Sequence, residues 1–384
     1  MNDALDLDES FLRSVGSVSL GRTELTDPGR SGIVEGAREE TTYMDEKKNL
    51  NAVAAASIVG AFALAGLIAA LSPLMERWAP LIGPDLGPSH YYWQLATPTL
   101  AAGISVWTLY ALHQASMWYL VWRMGKDRQR GDSVGPLNIA ALVLNAVFVL
   151  LHVLQSQLFY DGLAQYVPVW SSQYSVIGML VIIIYTAAPR RGLILGKFGK
   201  WDAAARAWVL RWHGYYIAWA LVYTFWFHPT VGDFGLLTGF LYMFLLFVQL
   251  SLPNTRLHLA LGWVALLEVM VGVHGPAIAI QKAISGLSGE GDMIGPGIWI
   301  MFASGFLFMF AFTGQFGLKL RPWARALALA GYAALAAVLY GWRGYARLYE
   351  ITFIPTALYG GAVALAVVAR AATLRRKRAA ASVS

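Results

Sequence analysis

Ten nearly uncharged stretches of roughly 20 residues, the length that crosses about 30 Å of hydrocarbon as a helix, occupy this 384-residue chain between residues 50 and 370. They lie near 50–73, 95–122, 137–160, 173–188, 207–228, 234–252, 257–281, 295–317, 322–341 and 351–370. Inside a bilayer each backbone N–H and C=O has to be satisfied within the chain, so segments of this length span as helices. The expected fold class is all-α: a polytopic integral membrane protein of about ten transmembrane helices. Composition agrees, with 57% hydrophobic and 13% charged residues, more apolar surface than a soluble domain hides. The 15 Trp and 18 Tyr suit the headgroup level. The lipid bilayer is therefore the first expected partner.

Flanking charge sets direction. Alternate loops carry Arg123, Lys126, Arg128 and Arg130, then Arg190, Arg191, Lys197, Lys200 and Arg206, then Lys319, Arg321 and Arg325, and finally Arg375, Arg376, Lys377 and Arg378. The opposite loops hold Glu76, Asp85, Asp161, Asp233, Glu290 and Asp292, with Arg77, Lys282, Arg343 and Arg347 as exceptions. The positive-inside rule then puts both termini in the cytoplasm and the chain in the cytoplasmic (inner) membrane.

Residues 1–48 hold 6 Lys/Arg against 11 Asp/Glu. Too few large apolar groups are present to fold alone, so an acidic, disordered cytoplasmic tail is expected, a handle by which the chain joins a larger membrane complex. The transmembrane domain covers 49–372 and a basic cytoplasmic tail 373–384. The net charge of +7 comes from the cytoplasmic loops and needs no nucleic acid to explain it. There is no cysteine, which excludes disulfides, thiolate metal sites, iron–sulfur clusters and cysteine nucleophiles. P-loop, GxSxG and HExxH motifs are missing, and no soluble segment is large enough for a nucleotide or flavin site.

Ionisable residues at membrane depth are costly and mark function. His113, His152, His213, His228 and His274 fall inside or at the ends of apolar runs, and His258 starts another. The fifth and seventh spans each carry two. At 1.5 Å per residue His213 and His228 stand roughly 22 Å apart, and His258 and His274 roughly 24 Å. One span separates the two helices, so they run parallel. His213 and His258 then share the cytoplasmic level, and His228 and His274 the outer level. Each level suits an iron held between two imidazoles, with Arg211 and Arg256 near haem propionates and Gly214, Gly262, Gly272 and Gly275 admitting a macrocycle close to the backbone. His113 and His152 supply a third imidazole at each level, a reserve for haem or for another transition metal. His90, beside Tyr91, Tyr92 and Trp93, reads as interfacial.

At these residues the chain resembles the transmembrane domain of ferric-reductase-like and cytochrome b proteins, and the RLHxxLGW run from Arg256 to Trp263 is similar to the start of their second ligand helix. The resemblance covers about 75 residues. It implies two b-type haems, electron transfer across the membrane, and quinone or a redox subunit as partner. The spacing departs from that family, in which about thirteen residues intervene. On ideal helices His213 and His228 differ by about 60°, and His258 and His274 by about 160°. The second pair shares one face only if a bulge or a non-helical start at Asn254-Thr255 corrects it.

Glu268 is the one carboxylate expected near the middle of a span. Unpaired, it would be protonated by desolvation and would serve a proton path, a cation site or a quinone hydroxyl, with Gln114, Asn145, His152, Gln155 and Gln157 as further polar groups. The same residues support three other readings. One is a proton- or ion-coupled transporter using Glu268 and the outer histidines, another a membrane metalloenzyme, and the third an accessory subunit of a larger complex.

Overall fold

The computed structural model describes residues 31–84, 93–126, 134–284 and 297–381, with side chains from residue 49 onward. The chain separates into two compact units, Met1–Glu46 and Lys47–Ser384. In the first, residues 31–46 are helical. Helix there continues to Leu71, and Glu, Ala, Arg and Lys in residues 31–48 favour it. Residues 1–30, together with His90, Asp85, Arg128, Arg130, Glu290 and Asp292, lie outside the described residues.

The described residues form ten long helices, in order α1 (Ser31–Leu71), α2 (Leu100–Lys126), α3 (Pro136–Phe159), α4 (Val169–Arg191), α5 (Ala203–Phe227), α6 (Phe234–Ser251), α7 (Leu261–Ile284), α8 (Ile298–Phe312), α9 (Pro322–Arg343) and α10 (Phe353–Ala381). No strand occurs among the described residues. Among the described residues eight segments are long and apolar enough to cross a membrane, so the protein is a multi-pass helical membrane protein. Helices α2 and α5 fall outside that eight. Both are dense in Trp, Tyr and His, which lower hydropathy without adding charge.

Capping fixes several helix starts. The side chains of Asp202 and Asp233 accept from Ala205 N–H and Leu236 N–H, at 2.9 and 2.8 Å, and Pro136 and Pro322 occupy first-turn positions whose N–H has no helical partner.

The centre of the second unit is α6. It is apolar all round and 72% of its span is buried, against 11% for α9, the contrast expected between a core helix and one facing lipid. Helix α6 packs against α3, α5 and α7, with Phe240, Phe244 and Phe247 meeting Phe225 of α5. A second core joins α4, α5 and α10 through Tyr185, Leu358, Ala362 and Ala369. Gly361 of α10 makes that approach possible, since a Cβ there would lie 2.5 Å from Val181.

Candidate histidine sites and their hydrogen bonds

Two of the expected ligands do not sit in helical geometry. His258 belongs to a short 3-10 turn, Arg256–Leu259, and Ala260, extended at φ −64° and ψ 125°, separates it from α7. The 160° offset between His258 and His274 therefore does not arise, because helical phase is broken between them. His228 is likewise extended, at φ −106° and ψ 144°, just past the end of α5.

Hydrogen bonding sorts the six histidines into two classes. A carbonyl oxygen only accepts, so a ring nitrogen facing one carries the proton. His213 Nδ1 donates to Leu210 O at 2.8 Å, His228 Nδ1 to Thr224 O at 3.2 Å, and His258 Nδ1 to Gln249 O at 3.1 Å. Thr238 Oγ1 is 3.2 Å from His274 Nδ1 and gives its own proton to Gly235 O, so it accepts from the imidazole. All four rings are Nδ1–H tautomers. Their Nε2 lone pairs have no hydrogen-bond partner among the described residues. This is how histidines that bind metal are oriented.

The two remaining histidines are the opposite tautomer. His152 Nε2 donates to His228 O at 2.8 Å. His113 accepts from Trp226 Nε1 at 3.1 Å on Nδ1 and bonds Asn145 Oδ1 at 2.9 Å through Nε2. Its ring stacks on Phe148, with centroids 4.4 Å apart. With both nitrogens engaged, His113 holds no lone pair in reserve for a metal, which corrects the sequence expectation.

His113, expected at the level of His213 and His258, lies instead beside Trp226 of α5, two residues before His228. His258 and His213 are near enough to interact electrostatically, and His228 interacts with both His274 and His152. Among the described residues no cluster of three or more His, Asp or Glu forms a metal cage. Two imidazoles per iron remain compatible with that, since a macrocycle supplies the other ligands.

Residues with no expected part in the site hold these rings. Gln249 of α6 receives His258 on its carbonyl, donates to His258 O at 3.0 Å, and accepts from Trp263 Nε1 at 2.6 Å. Gly239 makes room for His274. Trp93 lies 5.0 Å from the His228 ring. Gln249 is the one amide in an otherwise apolar helix, a signal the sequence did carry.

Other expectations shift. Gly272 and Gly275 face Phe306 of α8 and Gly214 faces Val121 of α2, so these glycines serve helix packing, while Gly262 has open space beside it. Arg211 lies over the Trp212 ring, 5.6 Å from its centroid, and both Arg211 and Arg256 are exposed.

Glu268 is not alone. Helix α7 begins at Leu261, which places Glu268 two turns from its end, and Arg191 at the end of α4 pairs with it. Arg191 is carried inward by the turn that follows α4, where Gly192, Leu195, Gly196, Phe198 and Gly199 take positive φ. That turn is pinned to the end of α8, with Thr313 Oγ1 donating to Leu193 O at 2.6 Å. An unpaired acid was the premise of the Glu268 proton path, and the ion pair removes it.

No protein-family model, no curated protein and no solved structure matches this chain.

Proposed function

We propose that this protein is a transmembrane electron carrier that holds b-type haem between paired histidines at two levels, His213 with His258 and His228 with His274. In this reading ten helices span the cytoplasmic membrane with both termini inside, and helices α5 and α7 run parallel. The observation that carries it is the shared tautomer: four rings present a free Nε2 while Nδ1 is fixed by a carbonyl or hydroxyl. Such a bond sets the ring's direction and raises the basicity of the ligating nitrogen.

Bound haem would supply one-electron chemistry. The chain's own part is to aim four imidazoles and to keep water from them. Packing of His228 against Trp93 and Phe227 and of His274 against Gly239 serves both ends. In this reading electrons come from membrane quinol or from a partner subunit. The transporter reading loses its coupling acid to Arg191.

The test is the visible spectrum of the detergent-purified protein, oxidised and reduced, with haem extracted and counted per chain. Sharp low-spin b-type bands, reduced by His228→Ala and His274→Ala for one haem and by His213→Ala and His258→Ala for the other, are expected. A colourless protein, or equal haem in all four variants, overturns the reading.

A further inference from the structure

The turn between α4 and α5 holds two large apolar residues in a backbone conformation that such residues avoid. Leu195 and Phe198 take φ of 51° and 58°, where a bulky L-side chain crowds its own backbone. Burial does not offset that strain, since Leu195 is 43% and Phe198 75% exposed. The turn is nevertheless fixed. Leu193 N–H donates to Lys197 O at 2.9 Å and Phe198 O at 2.7 Å, and Leu195 N–H donates to Phe312 O at the end of α8 at 2.8 Å. Strain held in place by surrounding structure points to a use for the residues that bear it.

Positive charge accompanies the two apolar side chains. Lys197 and Lys200 lie on the turn, Arg190 precedes it at the end of α4, and Arg206 follows it in the first turn of α5. All four are exposed. Arg190 is near enough to Arg191 and Arg206 to interact electrostatically. The start of α5 is closed onto α4 by Trp201, whose indole N–H donates to Tyr185 O at 2.8 Å and whose ring stacks on Tyr185 at 5.0 Å. The neighbouring acids are engaged. Glu268, also close to Arg190, pairs with Arg191, and Asp202 accepts from Ala205 N–H as the cap of α5. The side chains of Arg190, Lys197, Lys200 and Arg206 have no hydrogen-bond or ion-pair partner among the described residues.

The candidate span that contains α4 ends at Arg191, so the turn stands at a membrane–water boundary. Cations gathered there without a counter-charge repel one another and are relieved by an anion. Inorganic phosphate would use the cations alone and leave Leu195 and Phe198 in water. A phospholipid uses both, with its phosphate on the cations and an acyl chain against the apolar pair.

We propose that the turn at 192–200, with the adjoining ends of α4 and α5, is a binding site for an anionic phospholipid. Arg190, Lys197, Lys200 and Arg206 attract the headgroup, and Leu195 and Phe198 meet the acyl chains. The site does not depend on the electron-carrier reading, because none of the four proposed haem ligands belongs to it.

The test is native mass spectrometry of the full-length protein in detergent, titrated with phosphatidylglycerol, phosphatidylcholine or inorganic phosphate. Preferential retention of phosphatidylglycerol is expected. Lys197→Gln with Lys200→Gln should weaken it about 25-fold, at about fivefold for each cation near a membrane surface. Arg375→Gln with Arg376→Gln removes as much charge from the basic tail and should leave the affinity near that of wild type. Phe198→Gly relieves the positive φ, so it should weaken retention without lowering the melting temperature in lipid-free detergent. Retention unchanged in either the lysine double variant or Phe198→Gly overturns the proposal, as does an equal loss in the tail variant or equal retention of phosphatidylcholine. A lowered melting temperature in Phe198→Gly would assign its lost retention to the fold and count equally against the site. Phosphate bound as tightly as phosphatidylglycerol would replace the lipid with a soluble anion.

Discussion

The imidazole of His274 on α7 lies in the notch left by Gly239 on α6, where a single added Cβ would stand 2.6 Å from Cε1 and 3.2 Å from both ring nitrogens. Thr238, one residue earlier, accepts the Nδ1 proton. Adjacent residues of the most buried helix thus fix both the position and the tautomer of one outer histidine. Gly239→Ala forces the ring aside, and Gly239→Val does so further. With the electron-carrier reading, Gly239→Val should lose about half of the bound haem and leave the inner pair intact. Unaltered haem content and bands would count against an outer site at His274.

At the inner level, Gln249 ties the 3-10 turn to α6 through its side chain as well as its carbonyl. Gln249→Leu keeps the carbonyl but frees His258 O and Trp263 Nε1. A spectral change confined to the inner haem is expected, with the bands that His228→Ala and His274→Ala remove left unchanged. A change at both levels, or at neither, would detach Gln249 from that role.

The Arg191–Glu268 pair is largely withdrawn from solvent, with side-chain exposures of 7% and 19%. Removing one partner of a buried pair strands the other's charge. Arg191→Leu should therefore destabilise the protein by about 3–5 kcal/mol, while Arg191→Leu with Glu268→Leu should recover most of that loss. Unfolding of the purified protein in detergent measures both. A double variant no better than the single would show that the pair's attraction, and not stranded charge, sets the cost.

His113 and Asn145 make a similar comparison with neutral groups. Asn145→Leu leaves His113 Nε2–H buried without an acceptor, a cost of about 1–3 kcal/mol. Asn145→Leu with His113→Phe removes both polar partners and should be closer to wild type. Additive losses in the double variant would contradict this.

Asp161, in the loop after α3, is 1% exposed and accepts from Tyr166 Oη at 2.5 Å and Gly162 N–H at 2.8 Å. Burial lifts its carboxyl to about 6, and the two hydrogen bonds hold it lower than burial alone would. Because the folded value lies above the unfolded one, the folded state binds the proton more tightly. Stability should fall as pH rises from about 4 through 6, by about 1–3 kcal/mol in total. Asp161→Asn retains an acceptor for Gly162 and removes the titration. It should melt above wild type at pH 7.5, with the gap closing by pH 4. An equal gap at both values would assign the effect to another group.

The apolar windows were legible because a span's length and lack of charge are local properties. The helices follow those windows with small shifts: α7 starts at Leu261 where 257 was expected, because Arg256–Leu259 forms a separate turn. That turn was legible only as a condition, through the angular mismatch of His258 with His274. Gly272 and Gly275 read as cofactor clearance, yet they admit Phe306. A glycine reports that something comes close and says nothing of what. Arg191 was assigned to a loop by its charge, and its pairing with Glu268 depends on a turn of positive φ residues that no periodicity announces.

The sequence by itself determined a helical multi-pass membrane chain with histidines in or beside its spans, because length, charge and apolar composition are set along the chain. Which ring nitrogen carries the proton was set locally for His213 and His228, which donate to Leu210 O and Thr224 O one helical turn back, and by tertiary structure for His258 and His274, which donate to Gln249 O and Thr238 Oγ1 of α6, and for His113 and His152, fixed by Trp226 N–H and His228 O. A ring's proton goes to whichever acceptor the fold brings beside it, and most of those acceptors are backbone carbonyls, which every residue carries and no sequence pattern distinguishes.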